Sequence, residues 1–115
     1  NFGPWQFPEK LIPLVIFKAL MNEDIPIYGS GNNIRDWLYV DDHINGILLA
    51  AQKGIPGKKY CIGGNNEKSN KEVVEIICTI LDEELSKGLS YKKLIKSDFL
   101  NSVFSFSLLL KETLL

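Results

Sequence analysis

Residues 26–43 read Pro-Ile-Tyr-Gly-Ser-Gly-Asn-Asn-Ile-Arg-Asp-Trp-Leu-Tyr-Val-Asp-Asp-His and do most to decide the fold. The pattern predicts a strand over 25–28, a glycine turn, a second strand over 34–39 and a helix that opens on two acidic residues. This layout places the guanidinium of Arg35 beside a backbone loop that can approach a ligand closely. A planar, permanently charged guanidinium suits a phosphate or pyrophosphate group. The segment therefore indicates anion binding.

Further helices and a strand are predicted on both sides of this segment. Apolar residues recur at helical spacing over 8–21 and over 41–54. A short strand is predicted over 59–62, and Ser69 followed by Glu72 matches a capping box that starts a third helix. One face of that helix is predicted to be apolar and to carry Val73, Ile76, Ile77, Ile80 and Leu81. The order of helix, two strands, helix, strand and helix is typical of an α/β chain.

The composition narrows the class of protein. Hydrophobic residues make up 45% and charged residues 23% of the 115 residues, which is typical of a globular domain. With a net charge of -1 and no basic face, no nucleic-acid partner is expected. No signal peptide opens the chain and no apolar run could span a bilayer, so we expect no membrane partner and a cytoplasmic location. Cys61 and Cys78 lack metal-ligand spacing and are predicted to be buried thiols.

The two ends of the sequence differ from its middle. The chain begins on Asn-Phe-Gly-Pro without an initiator methionine, and we interpret it as a piece of a longer polypeptide. Residues 1–96 are predicted to belong to a partial substrate-binding region. In residues 97–115, Phe104 and Phe106 alternate with serines and three leucines follow. We expect this divergent tail to be either disordered or the product of a frameshift, and to promote aggregation if it is exposed.

Arg35 has two interpretations from the sequence. In the simpler one it is a surface arginine that pairs with Asp36 or Asp41. Its position after a glycine-rich turn favours a phosphate ligand instead. On an alternating strand Trp37 and Tyr39 share its side, so the aromatic rings could line a pocket beside the guanidinium.

A second anion site is indicated by residues 62–70, which are predicted to be a strand end, a loop and a helix start. Loops of this kind meet anions through free N–H groups and the helix dipole. An ordinary asparagine-rich loop capped by Ser69 would account for most of these residues. Asn70 is the exception, because it lies near the cap and can donate through its side-chain amide.

The residues give no indication of a catalytic group or a metal site. His43, the single histidine, lies near a helix start beside two acidic residues and is predicted to be structural or solvated. Asp41 and Asp42 are adjacent on a predicted helix and do not face each other, so capping explains them better than acid/base chemistry.

Three segments, in order, resemble one known family. They are 1–14, Asn-Phe-Gly-Pro-Trp-Gln-Phe-Pro-Glu-Lys-Leu-Ile-Pro-Leu, then 26–43, and then 60–70, Tyr-Cys-Ile-Gly-Gly-Asn-Asn-Glu-Lys-Ser-Asn. Together they resemble the dTDP-glucose 4,6-dehydratases, a family of extended short-chain dehydrogenase/reductases, over about residues 1–95. The segment 7–11 and Trp37 resemble the dehydratases more closely than the related epimerases and decarboxylases.

The resemblance implies a fold, a reaction and a set of binding residues. The fold would be part of the small substrate-binding lobe together with the last elements of a Rossmann fold. The family uses tightly held NAD to oxidise C4 of the glucose, eliminates water across C5 and C6, and returns the hydride to C6. The product, dTDP-4-keto-6-deoxyglucose, leads towards dTDP-rhamnose. The substrate-binding residues implied by position are Asn1, Lys10, Leu11, Pro26, Ile27, Tyr28, Arg35 and Asn70.

Within that set, the resemblance assigns different parts of the substrate to different residues. Asn1 matches an asparagine that contacts substrate, and Lys10 with Leu11 matches a substrate-lining pair. The segment 26–28 matches one that lies against the nucleotide. Arg35 and Asn70 match polar contacts to the diphosphate region. The local pattern of the sequence had already favoured these two residues.

The sequence also departs from the family. The family's Gly-x-x-Gly-x-x-Gly dinucleotide loop, its Asp-Glu acid/base pair and its Tyr-x-x-x-Lys all precede the matching region, and its later Arg-Pro-Gly-His-Asp segment is replaced by the tail. We therefore expect no catalytic and no cofactor-binding residues here, no turnover and no stable NAD binding by this chain alone. Because the family's homodimer forms largely through helices of the preceding domain, a dimer is not expected either.

Three other interpretations stay open. The chain could be a degenerate, non-catalytic nucleotide-sugar-binding fragment. It could belong to a related nucleotide-sugar epimerase or decarboxylase, because the base-recognising contacts are only partly represented. An unrelated small α/β interaction domain is less consistent with three motifs in order.

Overall fold

The computed structural model describes residues 1–85, 88 and 90–98. Its three helices lie where they were predicted, but the third strand forms at 67–69, in a segment predicted as a loop and helix start, and a short 3-10 helix and a fourth strand follow. In chain order they are α1 (Leu11–Leu20), β1 (Ile25–Tyr28), β2 (Ile34–Asp36), α2 (Val40–Lys53), β3 (Glu67–Ser69), α3 (Asn70–Leu85), the 3-10 helix Tyr91–Leu94 and β4 (Ile95–Asp98).

The four strands form two separate two-stranded sheets. β1 pairs in parallel with β4, and the register sets Ile25 opposite Ile95. β2 pairs antiparallel with β3, with Ile34 opposite Ser69. The strands on either side of the glycine turn therefore pair with later parts of the chain and not with each other.

The hydrophobic core lies between α1, α3 and the β1–β4 sheet. Its most deeply buried side chains are Val15, Ala19, Ile25, Val74 and Cys78, each at most 1% exposed. Tyr91 of the 3-10 helix closes one end, where its backbone N–H donates to Asp82 Oδ1 at 2.7 Å. Apolar contacts among α1, β1, α3 and the 3-10 helix therefore hold this region together.

Helix α2 lies outside this core. None of the residues of α2 is buried. Its apolar residues Ile44, Ile47, Leu48 and Leu49 are between 47% and 55% exposed. A helix with such a face normally buries it against another element, and none in the described part of the chain covers this one.

The capping box predicted for the third helix is confirmed. Ser69 Oγ accepts a hydrogen bond from the Glu72 backbone N–H at 3.2 Å, and Glu72 Oε2 accepts one from the Ser69 N–H at 2.7 Å. These bonds satisfy two donors that the first turn of a helix leaves unpaired. The predicted apolar face of this helix also forms, although Ile76 and Ile80 remain exposed.

Several boundary predictions were wrong. The first helix begins at Leu11 and not near Pro8, and the second strand ends at Asp36 and not near Tyr39. The predicted strand over 59–62 does not form, because no described strand lies beside it to pair with its backbone groups. Cys61, in the same segment, is exposed and not buried, whereas Cys78 is buried as predicted.

The predicted tail lies almost wholly outside the described residues, which end at Asp98. β4 runs through Asp98 and so crosses the boundary predicted near residue 96. The predictions for Phe104, Phe106 and the leucines that follow concern residues that the structure does not describe.

Candidate functional site

The β2–β3 ladder brings Arg35 and Asn70 to one end of the molecule. Arg35 lies opposite Lys68 in the ladder. One step further along, the Asn70 backbone N–H donates to the Asn33 carbonyl at 3.0 Å, and Asn70 is the first residue of α3. Directly opposite residues of a strand pair share a face, so Arg35 and Lys68 project towards the same side of the ladder.

The glycine turn after β1 packs against the same helix start. The Gly31 carbonyl accepts a hydrogen bond from the Lys71 N–H at 3.0 Å. Gly31 is buried with φ +70°, and a Cβ placed there would lie 2.5 Å from Ile27 Cγ2. Only glycine fits this close approach. The turn thereby places the exposed side chain of Tyr28 near the start of α3.

Arg35 is exposed and has no ion pair in the described chain. The predicted pairing with Asp36 or Asp41 is wrong for both acids. Asp36 projects to the opposite face of the ladder and accepts hydrogen bonds from the Gly64 N–H at 2.7 Å and the Asn66 N–H at 2.9 Å. These bonds, that from Asn66 foremost, lower the pKa of Asp36. The guanidinium is thus left available for a ligand.

Asn70 supplies a second polar group at the same place. Its side-chain Oδ1 is buried and has no hydrogen-bond partner. A side-chain amide oxygen only accepts hydrogen bonds, so an anion could be met only by the amide nitrogen of Asn70. The backbone N–H groups of Asn70, Lys71 and Glu72 already donate to Asn33, Gly31 and Ser69, so the start of this 16-residue helix adds its dipole and no free N–H group.

The one carboxylate in the first turn of α3 is occupied. Glu72 Oε2 accepts hydrogen bonds from both the hydroxyl and the N–H of Ser69, each at 2.7 Å. The Ser69 hydroxyl is the main cause of a lowered pKa for Glu72, so this carboxylate stays charged to unusually low pH. Its lone pairs are directed at the cap.

The other predicted binding residues are more scattered. Lys10 is exposed at the N-cap of α1, while Leu11 packs on the edge of the core. Pro26 is half-buried in β1, and the Ile27 side chain lies in the core at 6% exposure, so Ile27 could meet a ligand only through its backbone.

Asn1 lies at a different place, near the start of α2. Its side-chain amide nitrogen contacts Nδ1 of His43, and the neighbouring Phe2 forms a bridge with Tyr39. His43 is half-buried with Asn1 as its described side-chain partner, which agrees with the structural role predicted for it. The described backbone bonds join the strand of Arg35 to the start of α3 at Asn70, and none of them joins Asn1 to these two residues.

Two clefts in the described part of the chain are lined by none of the eight predicted residues. One, of about 420 Å³, is apolar and lies between α1, α3 and the β2–β3 ladder, with Trp37 and Lys68 at its polar edge. The other, of about 510 Å³, lies between α2 and residues 60–63. The anion-binding arrangement is therefore an exposed corner and not a closed pocket.

Sequence reasoning missed two residues of this corner. Asp36 holds the loop that leads into β3, and Lys68 stands opposite Arg35. An acidic residue inside a predicted strand was the available signal for Asp36. Nothing local indicated Lys68, because its position depends on which strands pair.

No metal site is found where the structure describes the chain. No group of three or more His, Cys, Asp or Glu residues lies close enough together to hold an ion there. Burial raises the pKa of the Cys78 thiol to about 11, so it stays protonated at neutral pH. No helix in the described residues is both long and apolar enough to cross a membrane.

Comparison with known proteins places these features in a family. The profile of the NAD dependent epimerase/dehydratase family matches residues 1–63. The dTDP-glucose 4,6-dehydratase of Salmonella typhimurium is 53% identical over 95 residues, which are 83% of this chain and 26% of that protein. The chain thus spans about a quarter of the length of this curated relative.

Solved structures agree with the sequence comparison. The structure of dTDP-glucose 4,6-dehydratase from Bacillus anthracis in complex with NAD matches 86% of this chain and 30% of its own, at 49% identity and a TM-score of 0.76. A UDP-glucuronic acid 4-epimerase from Bacillus cereus in complex with NAD matches the same share of this chain and 29% of its own, at 28% identity and a TM-score of 0.64. The α/β fold class predicted from the sequence is confirmed. The chain belongs to the NAD dependent epimerase/dehydratase family.

Proposed function

We propose that this chain is the part of a dTDP-glucose 4,6-dehydratase that holds the nucleotide diphosphate of the substrate. The observation that carries the proposal is the corner at the start of α3. There Arg35, which makes no ion pair among the described residues, lies in the β2–β3 ladder, and Asn70 begins α3 where that ladder ends. A guanidinium, an amide nitrogen and the positive end of a helix dipole together suit a diphosphate.

The dehydratase is favoured over the epimerase by the degree of similarity. Identity is 53% to the Salmonella typhimurium dehydratase and 28% to the Bacillus cereus epimerase. The complete reaction would be oxidation of the glucose at C4, loss of water across C5 and C6, and reduction at C6. We place this reaction in the cytoplasm, where it would provide dTDP-4-keto-6-deoxyglucose.

The chain's own residues would bind and orient the substrate. Arg35 and Asn70 would neutralise and align the diphosphate, while Tyr28 and Lys10 would lie nearer the nucleoside. Asn1 would contact the substrate from the start of α2, and Leu11, Pro26 and Ile27 would complete the wall. The nucleotide is remote from the reacting part of the sugar, and binding it provides energy that orients the reacting centre.

NAD does not fit the residues that are present. Neither Gly-x-x-Gly-x-x-Gly nor Tyr-x-x-x-Lys occurs in the 115 residues, so we assign no step of hydride transfer to them. The uncovered face of α2 supports packing against further polypeptide that would carry those groups. A chain that binds the nucleotide sugar without catalysis is the second candidate, and the same missing motifs favour it.

Titration of the ¹⁵N-labelled chain with dTDP tests the binding proposal. We expect a dissociation constant on the order of 1 mM, which corresponds to about 4 kcal/mol of binding energy for a partial, open site. Amide shifts should be centred on Tyr28, Arg35 and Asn70 and absent around Lys53. Arg35→Gln should weaken binding about tenfold, since it removes a charge-assisted contact.

Two controls complete the test. Thymidine, which lacks phosphate, should produce no shift at Arg35, and Lys53→Gln should leave dTDP binding unchanged. Shifts that avoid the start of α3, or an Arg35→Gln chain that binds dTDP as tightly as the unaltered chain, would contradict the proposal. Incubation with NAD and dTDP-glucose should give no product, and formation of the 4-keto-6-deoxy sugar by the chain alone would contradict the statement that these residues carry no hydride-transfer step.

A further inference from the structure

The ladder contains a like-charge pair at its centre. β2 and β3 are three residues each, and Arg35 lies directly opposite Lys68 in the middle position. Side chains of directly opposite residues leave the same face with Cβ atoms about 4.5 to 5.5 Å apart, and like charges in that arrangement are destabilising. So short a ladder has few other pairs to offset the repulsion.

The opposite face of the same ladder shows how such a pair is normally compensated. Asp36 lies opposite Glu67, which places two acids side by side. There Asp36 accepts hydrogen bonds from the backbone N–H groups of Gly64 and Asn66. The basic pair has no equivalent, since within the described ranges the ion pair that forms joins Lys18 to Glu23 and neither Arg35 nor Lys68 takes part in one.

The surroundings hold Lys68 in place without an ion pair. Its backbone carbonyl accepts a hydrogen bond from Trp37 Nε1 at 3.2 Å, and its half-buried side chain lines the edge of the apolar cleft. The charge of Lys68 is a minor cause of the lowered pKa of Glu72, after the hydrogen bonds that Glu72 accepts from Ser69. Within the described residues, Lys68 thus makes no salt bridge, and its side chain leaves the same face of the ladder as that of Arg35.

We propose that Lys68 is a second cation of the diphosphate site and, with Arg35, makes that site prefer a nucleoside diphosphate to a monophosphate. The inference rests on the proposed function, because it assumes that Arg35 meets the diphosphate. Two cations on adjacent strands match two phosphoryl groups, and the anion removes the repulsion between them. Lys68 thereby becomes a specificity-determining residue.

Binding of dTDP and of dTMP to matched variants tests the assignment. Lys68→Met keeps the aliphatic stem against the cleft and removes the charge, whereas Lys68→Arg keeps the charge. We expect Lys68→Met to weaken dTDP binding about tenfold and dTMP binding about twofold or less, as for the loss of one charged contact. Lys68→Arg should restore most of the difference, and the exposed control Lys59→Met should change neither constant.

The outcomes distinguish this inference from the proposed function on which it rests. If Arg35→Gln weakens dTDP binding and Lys68→Met does not, the proposed diphosphate site is supported and the role of Lys68 is overturned. Equal losses for dTDP and dTMP would also overturn it, since they would show a general loss of positive charge. If the unaltered chain binds no dTDP at all, both proposals fail together.

A measurement without ligand supplies an independent check. Removing one of two repelling cations should raise the melting temperature of the free chain by about 1 to 5 °C, and Lys59→Met should not. Sodium chloride should raise the melting temperature of the unaltered chain more than that of Lys68→Met, because salt screens the repulsion. A melting temperature that falls in Lys68→Met would show that Lys68 serves packing alone and would overturn the proposal.

Discussion

The packed region formed by α1, α3 and the β1–β4 sheet, here called the first half, differs from the region around α2. In the first half Val15, Ile25 and Val74 are almost completely buried, whereas α2 buries no residue. The buried residues belong to elements that pack against one another, and α2 is not among them. Burial of a large aliphatic side chain contributes about 1.5 to 3 kcal/mol, which the first half gains and α2 does not.

The comparison shows which parts of the proposed site form without help. The start of α3, the glycine turn and the β2–β3 ladder are tied to the first half by backbone and capping bonds. Asn1 is tied to α2 through His43. The residues proposed for the diphosphate therefore lie in the packed part of the described chain, whereas Asn1 lies beside a helix whose apolar residues are exposed.

The largest expected effect comes from emptying the core. Ile25→Ala should lower the free energy of unfolding by about 2 to 5 kcal/mol, because it leaves a cavity among fully buried neighbours. Ile47→Ala on α2 should change it by less than about 0.5 kcal/mol, since that side chain is half exposed. Chemical denaturation of both variants would measure this. Equal losses would show that α2 is part of the core.

A smaller effect is expected at the glycine turn. Gly31→Ala should cost about 2 to 3 kcal/mol, because the left-handed backbone and contact with Ile27 both oppose a Cβ. Gly57→Ala is the matched control, since it has φ +81° and no atom within 4 Å of its Cβ position. The control should cost about 1 kcal/mol. If the two variants melt alike, the turn does not pack closely on α3.

Removing the cap of α3 should have a smaller effect again. Ser69→Ala should lower the free energy of unfolding by about 1 kcal/mol, because the Glu72 N–H loses its acceptor and the Glu72 carboxylate loses the hydroxyl that donates to it. Thr79→Ala removes a hydroxyl that donates to the Glu75 carbonyl in mid-helix and should cost little. Thermal melts compare the two. A larger loss from Thr79→Ala would refute the capping argument.

The smallest expected effect is on how stability falls at low pH. Asp36 and Glu72 both have a lowered pKa in the folded chain, so their contributions are present above the ordinary carboxylate range and are lost as the pH falls through the folded values. Asp36→Asn should flatten the loss of stability below about pH 4. Melting temperatures from pH 7 to pH 3 would show it. An unchanged slope would mean that Asp36 does not hold the loop through its charge.

Local signals predicted the parts of this fold, and long-range pairing decided the rest. The capping box of Ser69 and Glu72 and the strand β1 could be read from neighbouring residues. The partner of β1 could not, because β4 lies some seventy residues later and its register depends on the packed helices. The failed strand over 59–62 has the same cause, since strand propensity is realised only where a neighbouring strand supplies hydrogen bonds.

The site was predictable to a similar extent. Arg35 and Asn70 were chosen for their residue types next to a turn and a cap, and their role in binding stays a prediction. Lys68 was not foreseen because its relation to Arg35 exists only once β2 and β3 pair. The burial of Ile27 was equally invisible, since a four-residue strand does not reveal which of its faces meets the core.

The contrast between the two cysteines makes the chain easy to label. Cys78 is enclosed and its thiol pKa is about 11, whereas Cys61 is exposed at the edge of the cleft beside α2. A maleimide fluorophore added at neutral pH should therefore attach at Cys61 alone, with no engineered residue. Its emission would then report directly when another polypeptide covers the neighbouring helix.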